Sequence, residues 1–365
     1  MYMQISKRNN FDLIRLLAAL VVVTGHTAAV SKYAAFEFLY APLNSEVAVD
    51  VFFIISGFLI YRSFENSDSI TSYFQKRARR ILPAYVTVIL VSAVGLSLVS
   101  SLSFAEYFTN REFFKYIFFN LITLNFLQPT LPGVFTNLEI QSVNMSLWTI
   151  KIEVMFYLVV PLIAYLFEKT NKAWAILAMY LFSILYSTAV VILSNRFSYG
   201  FIGQLDQQLP GQLAFFISGV FLYCYYDKFR LNITVVLAIA TLIMVVHNFV
   251  TEIYFAYPIA LAVLLTYFAL KFKYLGNFGK YGDFSYGLYI WHLPILLVMA
   301  HFNLYEKPLI AVALLFSCIF GASFVSWKWI EKPFLKRRSH YIKATESKGD
   351  RSSESKKEVA NHIVK

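Results

Sequence analysis

Long apolar runs recur along the chain, separated by short polar stretches. Runs suited to crossing a bilayer fall at residues 11–30, 47–61, 81–101, 147–167, 173–193, 210–226, 231–250, 253–270, 284–302 and 308–329. A spanning helix needs about 20 apolar residues, because the hydrocarbon core is ~30 Å thick and each helical residue rises ~1.5 Å. Several runs are shorter, which leaves their borders open. An eleventh run, 113–127, is decided by the positive-inside rule. Basic loops are expected at Lys7-Arg8, Lys76 to Arg80, Lys169 to Lys172, Lys228 to Arg230, Lys271 to Lys273 and Lys336 to Arg338. With ten spans all of them face one side; an eleventh crossing would send those from Lys169 onward to the other. The pattern predicts an all-α integral membrane protein of about ten transmembrane helices with both termini cytoplasmic. Segment 113–127 becomes a re-entrant or surface helix in an outer loop of residues 102–146.

Composition agrees with that picture. Of 365 residues, 58% are hydrophobic and only 15% are charged, against about 45–50% and about 25% in soluble domains. So few charges could not cover a water-soluble enzyme of this size. The net charge of +11 is concentrated toward the C-terminus. Residues 1–338 read as a membrane domain. Residues 339–365, rich in Lys, Glu and Ser, read as a disordered basic cytoplasmic tail. Beside a bilayer such a tail fits anionic lipid, and no nucleic-acid partner is expected. The first run is longer than the apolar region of a signal peptide and holds Asp12 and Arg15, so it is expected to stay as a span. Cys224 and Cys318 sit inside apolar runs, with neither metal-ligand nor disulfide spacing.

The few ionisable residues inside spans are the candidates for chemistry, since burying them in lipid is costly. Asp12 and Arg15 are three apart and can pair on one helix face. Arg15 and His26 are eleven apart, which aligns them to within about 20° and separates them by ~16 Å along the axis. Ser146 and Glu153 share a face of the fourth span, and its predicted direction puts Glu153 at a depth similar to His26. An imidazole and a carboxylate at one depth could act as an acid/base pair. Lys151 is expected to snorkel outward. Ser285, Tyr289 and His292 form a polar stripe on the ninth span. Asp50 lies near the outer end of the second span, with Ser56-Gly57 in mid-membrane, where small residues usually mean helix packing. Arg77, Arg79 and Arg80 stand at the inner mouth, and their guanidinium forks match phosphate oxygens as well as marking topology. A zinc site on His26, His292 and Glu153 is not expected, because no His-x-x-x-His pair preforms it.

Taken together, these motifs make the chain resemble the acyltransferase 3 family of integral-membrane O-acyltransferases. The resemblance rests on Arg15-x10-His26, the run Val49 to Ile60, Arg77 to Pro83, Ser146-Leu147-Trp148-Thr149 with Glu153 and Phe156-Tyr157-Leu158, Ser285 to His292, and Glu331-Lys332-Pro333. They occur in family order over roughly residues 8–335. The resemblance implies a ten-helix membrane fold, cytoplasmic acyl-CoA as co-substrate with no bound cofactor, and a hydroxyl acceptor, often on a cell-surface glycan or its lipid-linked precursor. It implies His26 as the catalytic histidine, Glu153 as the motif carboxylate, and Arg15, Arg77, Arg79 and Arg80 as donor-binding residues. Asp12, Asp50, Ser56, Ser146, Tyr289 and His292 are further pocket candidates. The second acidic residue of many members is Val154 here, and the tail is too short for the soluble esterase-like domain that some members append.

The expected reaction is acyl transfer, acetyl by default, at a bacterial inner membrane. His26 would act as general base or transient acyl carrier, oriented by Glu153 as in a triad. The competing class is a proton-coupled transporter, or an acyl-group exporter feeding a separate transferase. Ten spans with intramembrane His, Arg and Glu also suit a carrier, although no inverted repeat is visible.

Overall fold

A computed structural model describes residues 8–32, 36, 44–197, 200–229, 233–280 and 282–335. The expected tail, together with Lys7, Arg230 and Lys336 to Arg338, lies outside the described residues. The chain forms helices α1 (Phe11–Ser31), α2 (Ser45–Glu65), α3 (Ile70–Gly95), α4 (Phe104–Thr109), α5 (Arg111–Leu121), α6 (Leu147–Lys169), α7 (Lys172–Phe197), α8 (Leu209–Phe229), α9 (Ile233–Phe249), α10 (Tyr257–Leu270), α11 (Phe284–His301) and α12 (Pro308–Val325). Among the described residues the only isolated extended pairing is one bridge, Ser100 to Val134. In a bilayer every backbone polar group must be satisfied within its own segment or barrel, and helices do this.

Eight helices are long and apolar enough to cross a membrane: α1, α2, α3, α6, α7, α8, α11 and α12. Two shorter apolar helices, α9 and α10, lie at the other two expected runs. Helix α5 does not span. Its 11 residues reach only ~16 Å. Phe113, Tyr116 and Asn120 face inward while Phe114 and Phe118 are exposed. The Tyr85 hydroxyl donates to the Asn120 carbonyl at 2.7 Å, pinning this surface helix to α3.

Polar residues mark where the helices begin. Asn44, Ser69, Ser103, Asn110 and Asp283 each accept from a backbone N–H in the first turn of the following helix, satisfying groups that would otherwise be orphaned. Helix α3 starts at Ile70, eleven residues before the apolar run from 81. The basic block Lys76 to Arg80 is therefore helical, not a loop.

The tightest packing joins α2 to α8. A Cβ at Gly57 would lie 1.9 Å from the Phe216 carbonyl oxygen, and one at Gly219 would lie 2.0 Å from that of Ile54. The Ser56-Gly57 step is thus a helix crossing that requires glycine on both sides, in keeping with small-residue packing in membranes. Phe156 of α6 stacks on Phe216 at 4.0 Å beside it. Helix α7 is different: Trp174, Leu181, Phe182, Leu185 and Ile192 are exposed, and Ile176, Ser183 and Val190 are its buried positions. That is the composition of a helix facing lipid on most sides.

Candidate active site

Four ionisable side chains meet where α1, α3, α11 and the end of α12 converge. Arg15 Nη1 lies 2.7 Å from Asp283 Oδ2. Arg80 Nη2 bonds the same oxygen. Arg80 Nη1 stands 3.7 Å from Glu331 Oε2. The other Asp283 oxygen accepts from the Ser285 amide at 3.1 Å and from the Ser285 hydroxyl, so one carboxylate both caps α11 and joins two arginines. Glu331 is 1% exposed and accepts from Ser326 Oγ at 3.0 Å. It reaches the cluster because α12 continues into a π-helical turn, Ser326–Glu331, a distortion often found at functional sites. That turn packs tightly on the start of α11. Gly282 has φ +130°, and a Cβ there would lie 2.1 Å from the Trp327 indole nitrogen.

Arg15 thus has Asp283 as an ion-pair partner, 268 positions away, beyond the expected neighbour Asp12. The three arginines of α3 also divide. Arg77 and Arg80 are three apart and share a face. Arg77 Nη2 donates to Ser63 Oγ at 3.0 Å, and its guanidinium lies 5.8 Å from the Tyr157 ring centre. Arg79 is rotated about 100° from Arg80 and has no ion-pair or hydrogen-bond partner among the described residues.

A partly open cavity extends from this cluster into the bundle, lined by Arg15, Val49, Phe52, Phe53, Ser56, Thr149, Ile150, Glu153, Ser285, Tyr286 and Tyr289. Its walls are mostly apolar, with a few polar groups at intervals, as small-molecule sites usually are. On α2 the lining positions Val49, Phe52, Phe53 and Ser56 follow helical spacing. Asp50 is out of phase with them and accepts from Tyr257 on α10 at 3.0 Å. It is not a lining residue.

Glu153 lines the cavity and accepts from Tyr157 at 2.6 Å. Its expected depth is corrected. Thr149, one turn outward on α6, bonds the Tyr289 hydroxyl at 2.7 Å, and Tyr289 is itself one turn inward of His292. Glu153 therefore lies about two turns deeper than the histidines. The cause is local. Residues 128–146 dip between the helices before α6 begins, and Asn144 Nδ2 donates to the Ile290 carbonyl at 2.8 Å. Ser146, bonded to Asn144 at 2.6 Å, belongs to this clamp. Lys151 does not snorkel either: it is 7% exposed, donates to Gln208 at 2.7 Å and lies 5.0 Å from the Phe126 ring centre.

Beyond Tyr289 the two histidines meet. His26 Nδ1 is 2.7 Å from His292 Nε2, with the ring centres 5.0 Å apart and the ring planes 14° apart. His292 is fully buried, and its Nδ1 lies 2.6 Å from the Tyr289 carbonyl oxygen. Sequence spacing singled out both residues without pairing them. It missed Asp283 as a site residue, although an acid immediately before an apolar helix in so acid-poor a chain is a readable N-cap signal.

The all-helical membrane bundle thus carries a buried arginine–carboxylate cluster, a partly open cavity and a histidine pair. The family model for an acyltransferase domain matches residues 8–328, and the chain belongs to that family. It is a multi-pass membrane acyltransferase. An O-acetyl transferase of Shigella phage Sf6 is 29% identical over 91% of this chain and 98% of its own length. An acyltransferase of Streptomyces mycarofaciens, MdmB, is 27% identical over 41% of this chain and 37% of its own. A protein of Bacillus subtilis named as a candidate peptidoglycan O-acetyltransferase is 24% identical over 88% of this chain and 54% of its own length. No solved structure matches the chain.

Proposed function

We propose that this acyltransferase moves an acetyl group from cytoplasmic acetyl-CoA to a hydroxyl of an envelope glycan or its lipid-linked precursor, in a bacterial inner membrane with both termini cytoplasmic. The observation that carries this is the alignment of three features along α1 and α11: arginines at one end, a mostly apolar cavity, and His26 toward the other end. The donor has the same order of parts, with anionic phosphates, a flexible arm bearing amides, and a thioester at the tip. Arg77 and Arg79 take the phosphates, with Arg15 and Arg80 behind them. Glu153, Ser56 and Thr149 offer hydrogen-bond partners to the arm. The ~16 Å between Arg15 and His26 suits its reach.

A sugar hydroxyl is a weak nucleophile at neutral pH. His26 removes its proton as the oxygen attacks the thioester carbon, and the C–S bond breaks. The proton passes from His26 to the departing thiolate, leaving an acetyl ester and CoA thiol. The thioester is already activated, so no further energy source is required. Transient acetylation of His26 itself gives the same products in two steps.

The test is purified protein in lipid nanodiscs with acetyl-CoA and an extract of envelope glycans. Acceptor-dependent release of free thiol is expected, and none from His26→Ala. Transport of substrate without thiol release would overturn the proposal in favour of a carrier.

A further inference from the structure

We infer that His292 is the positioning residue for His26, fixing the tautomer that leaves His26 Nε2 as the base; this rests on the acyltransferase chemistry proposed above. The chain of contacts begins at the Tyr289 carbonyl. A backbone carbonyl oxygen only accepts hydrogen bonds. His292 Nδ1, 2.6 Å from the Tyr289 carbonyl, must therefore carry its ring proton. A neutral imidazole has one N–H, so His292 Nε2 presents a lone pair. That lone pair faces His26 Nδ1 at 2.7 Å. Two bare nitrogens would repel at that distance, so His26 Nδ1 carries the proton. The remaining nitrogen, His26 Nε2, is left as the proton acceptor.

The order Tyr289 carbonyl, His292, His26 does what a carboxylate does in a serine-hydrolase triad: it sets tautomer and ring orientation and steadies the imidazolium that forms in the reaction. It does so without a buried negative charge. Glu153, which sequence reasoning placed in that role, lies deeper and bonds Tyr157. Neighbouring groups hold His292 in turn. The Tyr289 ring packs edge-on to it at 5.9 Å, and Thr149 anchors the Tyr289 hydroxyl. Packing alone would be served equally by a phenyl group. The hydrogen-bond order requires an acceptor at the position of His292 Nε2.

The substitutions His292→Phe and His292→Gln separate these roles in the purified, reconstituted enzyme. Phenylalanine keeps bulk and removes the acceptor. Glutamine supplies a carbonyl oxygen for His26 Nδ1–H. For His292→Phe, kcat should fall by about 10²-fold, within what a positioned base contributes, with KM for acetyl-CoA unchanged; His292→Gln should recover most of it. Equal losses in both variants, or a full kcat in His292→Phe, would overturn the assignment. If His292→Phe does not assemble, ¹⁵N-histidine NMR of the unmodified protein decides, with His26→Asn identifying the signal. A protonated Nδ1 and bare Nε2 on His26 are expected, and the reverse tautomer contradicts the inference. The NMR result does not depend on turnover, so an inactive wild-type enzyme with the expected tautomer would count against the acyltransferase proposal alone.

Discussion

The polar clusters inward and outward of the cavity are held by opposite means. At the inner end two arginines and two carboxylates lie together, and the Asp283 and Glu331 side chains are 5% and 1% exposed. At the outer end two imidazoles bond each other and a backbone carbonyl. The inner arrangement balances full charges against one another, so removing any one leaves an uncompensated charge out of water, the costly case for buried ion pairs. The outer arrangement needs no counter-charge when both rings are neutral. The charged cluster joins α1, α3, α11 and the end of α12 and gives them one register. The neutral pair leaves a nitrogen available for chemistry.

Breaking the charged end should produce the largest effect on the fold. Asp283→Ala strips both arginines of their shared anion and α11 of its cap, and a loss of about 3–5 kcal/mol is expected, read as a lower unfolding temperature in detergent. Asp283→Asn keeps a cap acceptor and should lose less.

A substitution away from both ends sharpens the contrast. Gly57→Ala would set a methyl 1.9 Å from backbone oxygen, which cannot move aside as a side chain can. A cost of about 3 kcal/mol, the upper part of the usual overpacking range, is expected, with no selective change in KM. An unchanged melting temperature would show that α2 and α8 are not so closely held.

Smaller effects follow at the cavity wall and the surface. Thr149→Val removes the hydroxyl bonded to Tyr289 and should cost about 1 kcal/mol, measured by thermal unfolding. Lys32→Ala breaks the ion pair with Glu139, whose side chains are 57% and 77% exposed. A change below about 1 kcal/mol is expected, shrinking further in high salt. A larger loss would mean that the outer loop is held by more than its surface charges.

Much of this was legible in the sequence, and the remainder has physical causes. The helices were readable because lipid imposes a simple length and polarity rule. Arg15, His26 and His292 stood out because ionisable residues within spans are rare. The Arg15–Asp283 pair was not, since a contact between positions 268 apart leaves no local period. The depth of Glu153 was misjudged because counting inward from a span's first residue assumes that the span begins at the membrane surface, whereas residues 128–146 enter the bundle first. Asp50 looked like a pocket residue from its depth, but its phase on α2 turns it toward Tyr257. The basic block from Lys76 looked like a loop because its charges hid a helix that starts at Ile70.

The central claim is that acetyl transfer passes through His26. Mass spectrometry of envelope glycans tests it most directly, comparing cells that carry the wild-type chain with cells that carry His26→Ala at the same membrane level. Ester-linked acetyl groups are expected with the wild type and should be absent from the variant. Acetylation at the wild-type level in His26→Ala cells would contradict the claim.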